Sequence, residues 1–294
     1  MNLRELGEER LLEQLRGLLQ RNRGVIVGAG DDCAVVHGSG SRLLVLKTDC
    51  VVEHVHFTSD ATPRSVGWKA MGRPLSDFAA MSALPEFALV TLIVPPTTEL
   101  RWVRELYAGL EKAAHAFDVV IVGGETSATR GPISISVALT GSVESDRWVA
   151  RSAGETGDDL FVTGRLGGSI RGKHLRFRPR IAESRWLTEH FRLHAMMDLS
   201  DGLGADLPRL ARASNVGFEL LRSKVPRTRG CSIAEAIGDG EDYELLFAIS
   251  ARDGEKLQVK WRKQFPTLPL TRIGRLTDKP ANCLPILSGY DHFA

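Results

Sequence analysis

Apolar and polar positions along this chain follow two periods. Between residues 133 and 140, Ile133, Ile135, Val137 and Leu139 take turns with Ser134, Ser136, Ala138 and Thr140, the period of two that marks a half-buried strand. Between 99 and 117, Val103, Leu106, Leu110, Ala113, Ala114 and Phe117 fall on one stripe and predict a helix over 99–117. Residues 63–83 show the same helical spacing at Val66, Ala70, Met71, Phe78 and Ala79, with Pro74 expected to kink or break the helix. Apolar and β-branched runs predict strands at 42–46, ending at Thr48-Asp49, and at 87–94. A short buried strand is expected at 119–122, ending at Gly123-Gly124. The first half therefore alternates strands and helices.

A second unit begins near Arg151-Ser152-Ala153-Gly154. Its pattern gives a turn over 154–159, a strand at 160–163 and a flexible glycine loop over 164–169. A helix over 200–214 opens on a Ser or Asp cap, strands follow at 218–221 and 243–249, and a helix covers 252–265. At the start, Leu3, Leu6, Leu11, Leu15, Leu18 and Leu19 make an amphipathic pattern interrupted by Glu5, Glu8, Glu9 and Glu13, unlike a secretory leader. The aromatic tail over 289–293 is expected to dock on the protein. The longest apolar stretch, 87–96, is too short to span a bilayer, so no membrane partner is expected.

The length of 294 residues fits two domains of roughly 140 each. Hydrophobic content of 43% and charged content of 25% are those of an ordinary globular protein. A formal net charge of +2 gives no global attraction to nucleic acid. One basic stretch, with Arg171, Lys173, Arg176, Arg178, Arg180 and Arg185, reads either as a solvated face or as a rim that attracts phosphate. Cys33, Cys50, Cys231 and Cys283 show neither zinc nor disulfide-scaffold spacing, which predicts reduced thiols in a cytoplasmic protein.

The chemistry-bearing signal is a series of acids beside Gly, Ser or Thr: Gly30-Asp31-Asp32, Thr48-Asp49, Ser76-Asp77, Gly123-Gly124-Glu125-Thr126, Asp198-Leu199-Ser200-Asp201-Gly202 and Gly240-Glu241-Asp242-Tyr243. Most adjoin apolar runs, and carboxylates near a core are costly without a positive partner. Few lysines or arginines sit inside these clusters, so Mg²⁺, which prefers oxygen ligands, is the expected counter-charge. Each cluster also has a plainer reading as a turn or a helix cap. There is no P-loop, no dinucleotide fingerprint and no protein-kinase catalytic loop. His54 and His56 lack a third zinc partner and read as polar contacts to a substrate.

In the same order as they stand here, GDDCA (30–34), TD with EHVHF (48–57), LSDFAAM (75–81), GGET (123–126), RSA (151–153), DLSDGL (198–203), GEDYEL (240–245) and the closing GYDHF resemble the thiamine-monophosphate kinase family over nearly the whole chain. The resemblance implies an aminoimidazole-ribonucleotide-synthetase-like fold in two parts. Residues 1–146 would form an α/β domain that binds magnesium and ATP and dimerises through its sheet into a barrel. Residues 147–294 would form an α+β domain that closes over the nucleotide. It further implies several Mg²⁺ ions held by Asp32, Thr48, Asp49, Asp77, Glu125, Asp198 and Asp201. ATP as co-substrate would contact Gly123, Gly124, Arg147 and Ser200, and thiamine monophosphate would contact His56, Glu241 and Tyr290. The implied reaction is ATP-dependent phosphorylation of thiamine monophosphate to thiamine diphosphate by a homodimer.

The chain departs from that pattern at Lys47, where a small hydroxyl residue often stands, at Glu125 for Asp, at Pro74 for Asn, at Asp239 for Gly and at Leu287 for an aromatic residue. The 169–180 region is also shorter than the resemblance leads one to expect. Two other readings fit the same motifs: a related ATP-dependent enzyme with a different acceptor, and a nucleotide-binding paralogue with weak catalysis.

Overall fold

The computed structural model describes residues 2–19, 22–38 and 40–278. Cys283, Leu287, Tyr290, Phe293 and the expected docking of the tail lie outside the described residues.

Two amphipathic helices, α1 (Leu3–Leu6) and α2 (Glu8–Leu18), precede the first sheet. Its strands are β1 (Val25–Val27), β2 (Ala34–His37), β3 (Arg42–Val52), β4 (Leu84–Val94), β5 (Val120–Ala128) and β6 (Ser134–Glu144). They lie in the order β1-β2-β3-β6-β4-β5, antiparallel except for the parallel pair β4–β5. The period-two pattern of β6 is realised along its whole length, with Ile135, Val137, Leu139 and Val143 buried.

The strand expected to stop before Thr48-Asp49 runs on to Val52. Polar residues can occupy its inner face because Lys47 and Asp49 point to a polar site, whereas Val45 and Val51 are buried in apolar core. The strand expected to be short and buried at 119–122 is instead the exposed edge strand β5, paired only with β4. Its Gly124 sits so close to β4 that a Cβ there would stand 1.8 Å from the Val90 carbonyl oxygen.

On the inner face of this sheet lie α3 (Pro63–Ala80) and α4 (Leu100–Ala116). Thr62 caps α3 by accepting from the Ser65 N–H, and Pro63 takes the first helical turn, where its missing N–H costs nothing. Pro74 does not break this helix, which is continuous for 18 residues. Val66, Met71, Leu75 and Phe78 are buried on both sides of the proline, and this burial offsets the lost hydrogen bond. The two helices cross at Gly67 and Gly109, where an added Cβ would lie about 2 Å from a backbone oxygen of the other helix.

The second sheet contains β7 (Asp159–Thr163), β8 (Leu193–Asp198), β9 (Gly217–Leu220), β10 (Leu245–Ile249) and β11 (Leu270–Thr277). All neighbours in the order β8-β10-β7-β11-β9 are antiparallel. Both faces are covered. Phe161 and Phe247 join a core shared with the first sheet and α8 (Ala251–Gln264), while Leu160, Val162 and Leu246 face α6 (Leu203–Ala213). The helices α5 (Ile181–His190) and α7 (Ile233–Gly238) complete this half. The cap of α6 differs from expectation. Gly202 holds the position without a side-chain bond, and Asp206 reaches back to the Asp201 N–H at 3.1 Å.

The short 169–180 segment holds two 3₁₀ turns, Ser169–Arg171 and Lys173–Leu175. Its basic run is largely paired within the chain. Lys173 meets Glu244 at 3.2 Å, Arg180 meets Glu244 at 2.7 Å, Arg185 meets Glu144 at 2.8 Å, and Arg171 pairs with Glu235. No helix among the described residues is long and apolar enough to cross a membrane.

Candidate active site

The helix α3 packs against both β3 and β8, and the acids converge there. Asp77 comes from α3, Asp198 from the end of β8 and Asp32 from the loop before β2. All three are buried, and each offers a carboxylate oxygen within 4.8 Å of the others. Mg²⁺ holds oxygens at about 2.1 Å, which places ligand atoms about 3.0 to 4.2 Å apart, so a small contraction fits this triad around one ion.

Few cations are local to these acids in sequence, but the fold brings several to them. Arg151 donates to both oxygens of Asp32, at 2.5 and 3.1 Å. Lys47 Nζ lies 3.0 Å from an Asp77 oxygen, and Arg73 Nε donates to Asp49 at 3.1 Å. Arg209 pairs with Asp201 and, at 3.0 Å, with Asp206. The Ser76 hydroxyl donates to Asp198 at 2.6 Å.

These cations leave the acids incompletely neutralised. Burial pushes Asp77 well above the usual carboxylate range, with Lys47 opposing the shift and Asp198 adding to it. Burial, then the nearby Asp32 charge, raises Asp198 to about 7. Asp206 rises to about 7 through burial and Asp201, and Asp31 to about 6 through burial and Asp32. A buried group of carboxyls that resists ionisation favours the arrival of a further cation.

Asp77 and Asp198 of the cluster, though not Asp32, line a cavity of about 500 Å³ together with Lys47, Asp49, Arg73, Arg151, Ser200, Asp201, Asp206 and Arg209, with α2 along one wall. A smaller cavity of about 270 Å³ adjoins it, sharing Arg73, Ser200, Asp201 and Tyr243 and adding His56 and Glu241. Behind Glu241 lies Lys69, fully buried, whose ammonium reaches Glu241 at 2.6 Å, the His56 carbonyl at 2.5 Å and His174 Nδ1 at 2.9 Å. His174 and Lys69 hold Glu241 down to about 2 although burial alone would raise it.

Asp49, Asp77, Asp198, Ser200, Asp201, His56 and Glu241 thus line these two adjoining cavities, and Asp32 stands beside Asp77 and Asp198 without lining either. Thr48 does not. Its hydroxyl is on the outer sheet face, 3.4 Å from that of Ser136. Gly123, Gly124 and Glu125 lie on exposed β5 and line neither cavity. Arg147 donates to the Arg185 carbonyl at 2.9 Å, also away from both. Tyr290 lies outside the described residues. Sequence reasoning missed Arg73, Arg209, Asp206 and Lys69 as site residues. The available signal was a charged residue on an otherwise buried helical stripe, as at Lys69 and Asp206.

Two halves, a six-stranded and a five-stranded sheet with acids converging between them, define the class. The N-terminal domain of AIR synthase related proteins matches residues 30–143 and their C-terminal domain matches residues 118–282, so the chain is an AIR synthase related protein. The thiamine-monophosphate kinase of Rhodopirellula baltica is 37% identical over 291 residues, covering 92% of this chain and 90% of its own. That of Aquifex aeolicus is 34% identical, covering 95% and 94%. The solved structure of AaThiL complexed with AMPPCP and TMP superposes with a TM-score of 0.85 at 32% identity, over 99% of each chain. Within the AIR synthase related proteins, the chain belongs to the thiamine-monophosphate kinase family.

Proposed function

We propose that this chain transfers the γ-phosphoryl group of ATP to the phosphate of thiamine monophosphate, giving thiamine diphosphate and ADP. The observation that carries the reading is the buried Asp32–Asp77–Asp198 triad, whose Asp77 and Asp198 line a cavity that shares residues with a second one. Donor and acceptor can occupy adjoining spaces there. Both named ligands of the AaThiL structure agree with that use.

The acceptor phosphate is already a nucleophile at neutral pH, so the obstacle is repulsion between two anions rather than the lack of a base. Asp77 and Asp198 would hold Mg²⁺, Asp32 would join them by exchanging a bond to Arg151 for the ion, and Asp49 and Asp201 stand nearby for further ions. An ion held there would supply positive charge against the charge that develops between donor and acceptor. Arg73, Arg151 and Arg209 supply fixed positive charge, and Arg73 faces both cavities. His56 and Glu241 line the smaller cavity, where the acceptor would sit. The division of labour between 1–146, carrying the first sheet, and 147–294, carrying the second, follows the same reading.

The chain would act as a homodimer through the outer face of the first sheet. Leu46, Thr140, Phe87 and Val120 form one row across β3, β6, β4 and β5 by their pairing, and the three apolar members are at least 36% exposed. An apolar row of this kind across four strands marks an interface. Thr48, Gly123, Gly124 and Glu125 lie on or beside this face, so their metal and nucleotide contacts would be completed in the dimer. The free thiols of Cys33, Cys50 and Cys231 and the two proposed substrates support a cytoplasmic setting.

The test is incubation of the purified protein with ATP, Mg²⁺ and a panel of phosphate acceptors, with products separated by chromatography. Thiamine diphosphate and ADP should form together from thiamine monophosphate. Turnover of another acceptor with none of thiamine monophosphate would overturn the acceptor; ADP formation with no acceptor at all would overturn the transfer.

A further inference from the structure

A lysine on the floor of a site expected to load divalent cations is an unusual neighbour for a carboxylate triad. Lys47 sits on the inner face of β3, two residues before Asp49, and its ammonium is 3.0 Å from Asp77 and lines the larger cavity. Asp77 is one of the three residues whose oxygens come within 4.8 Å of one another. Asp198, Asp49 and Asp32 add negative charge around it, and Arg73 acts on it as a second cation. Lys47 is the cation in direct contact with Asp77. Arg151 pairs with Asp32 and Arg73 pairs with Asp49.

We propose that the Lys47 ammonium permanently fills one cation position of this acid cluster, so that the protein loads one divalent ion fewer than its carboxylates alone would hold. The inference rests on the metal-binding reading above. It follows from exclusion and charge. An ammonium 3.0 Å from a carboxylate oxygen occupies the volume that an ion bound on that side would need, at a ligand distance of about 2.1 Å. Two positive centres would also repel strongly at such separations in a partly buried site. The tethered charge differs from an ion in one respect: it cannot dissociate, so the site keeps that unit of positive charge at any magnesium concentration. A lysine donates three hydrogen bonds from a flexible stem, so one bond can hold Asp77 while the others meet a phosphate oxygen in the cavity.

The consequence is read by counting ions. Mn²⁺ serves as the paramagnetic probe, titrated into the full chain with AMPPCP at pH 8, with free ion followed by electron paramagnetic resonance. Lys47→Met removes the charge and roughly keeps the bulk; Lys47→Ser removes both and leaves an oxygen. Each folded variant should bind one Mn²⁺ more per chain than the unmodified protein, and Lys47→Arg should bind the same number. Thermal melting identifies which variants are folded, and either neutral variant alone suffices. An unchanged or lower Mn²⁺ count in a folded neutral variant, beside a protein that does bind Mn²⁺, overturns the inference and leaves the metal reading intact. If the unmodified protein and the variants all bind no Mn²⁺ with the nucleotide present, the metal reading falls and this inference with it.

Discussion

Lys69 of α3 and Glu241, in the loop before β10, form an ion pair of 2.6 Å that ties the N-terminal half to the C-terminal half, with the lysine entirely buried. Burial lowers Lys69 to about 8, and the Glu241 charge is what keeps it from falling further. Removing one partner of such a pair strands the other, at a cost of about 3 to 5 kcal/mol. Glu241→Gln should therefore destabilise the protein by about 3 kcal/mol at pH 6 in urea unfolding. With its partner gone, the lysine would hold its proton less well folded than unfolded, so the loss should shrink as pH rises toward 9. A loss below about 1 kcal/mol at pH 6 would show that His174 and the His56 carbonyl suffice.

The raised carboxyls give metal-free protein an unusual pH profile. Asp198 and Asp206 titrate near 7 when folded and at 3.8 in their ordinary state, and Asp31 near 6. Between about pH 4 and 7 the folded protein keeps protons that the unfolded chain has lost, so stability falls as pH rises through that window. Each pK unit is worth about 1.4 kcal/mol, and each kcal/mol roughly 2 °C in melting temperature for a protein of this size. With chelator present, the melting temperature should be higher at pH 5 than at pH 8 by several degrees, and Mg²⁺ should raise it more at pH 8. A flat profile with chelator present would contradict the shifts.

Asp49→Asn should cost at least about 100-fold in kcat/KM while the fold survives, since an electrostatic contact made in the transition state is worth that much. The amide can still accept from Arg73, whose guanidinium also donates to the Cys50 carbonyl at 3.2 Å, so no buried charge is abandoned. Turnover within tenfold of the parent in a folded protein would remove Asp49 from the machinery.

Placing a charge in the exposed apolar row should separate the subunits. Phe87→Glu puts a carboxylate on the outer sheet face, between Thr140 and Val120. Sedimentation should show a dimer for the parent and a monomer for the variant at micromolar concentration. The KM for ATP should rise in the same variant, because Gly123, Gly124 and Glu125 stand beside that face. A monomeric parent would overturn the dimer; a monomeric variant with unchanged ATP KM would place those residues outside the nucleotide site.

The acids were legible in the sequence because each stands beside a glycine or hydroxyl residue at a turn or element end. Their fixed counter-charges were not. Arg73 and Asp49 are 24 residues apart, and Arg151 and Asp32 are 119 apart, distances that only tertiary structure closes. The helix 99–117 and the strand alternation at 133–140 read correctly because one face of each is buried continuously. The strand carrying Thr48-Asp49 reads shorter in sequence than it is because charged residues on an inner face mimic a strand end. Strand 119–122 reads as buried because an apolar run on an exposed edge strand looks the same in sequence as one in a core.

The uninterrupted path of α3 through Pro74 has a geometric consequence. Lys69, Arg73 and Asp77 are successive i, i+4 positions, so they stand in a nearly straight file, about 6 Å between neighbours. Lys69 backs the smaller cavity, Arg73 faces both, and Asp77 stands at the triad. The helix is thus a ruler of about 12 Å laid along the two cavities. Its graduations are set by the backbone rather than by any loop. A single residue inserted between Lys69 and Asp77 would turn one end of the scale by about 100° against the other and leave the side chains of the two cavities out of line.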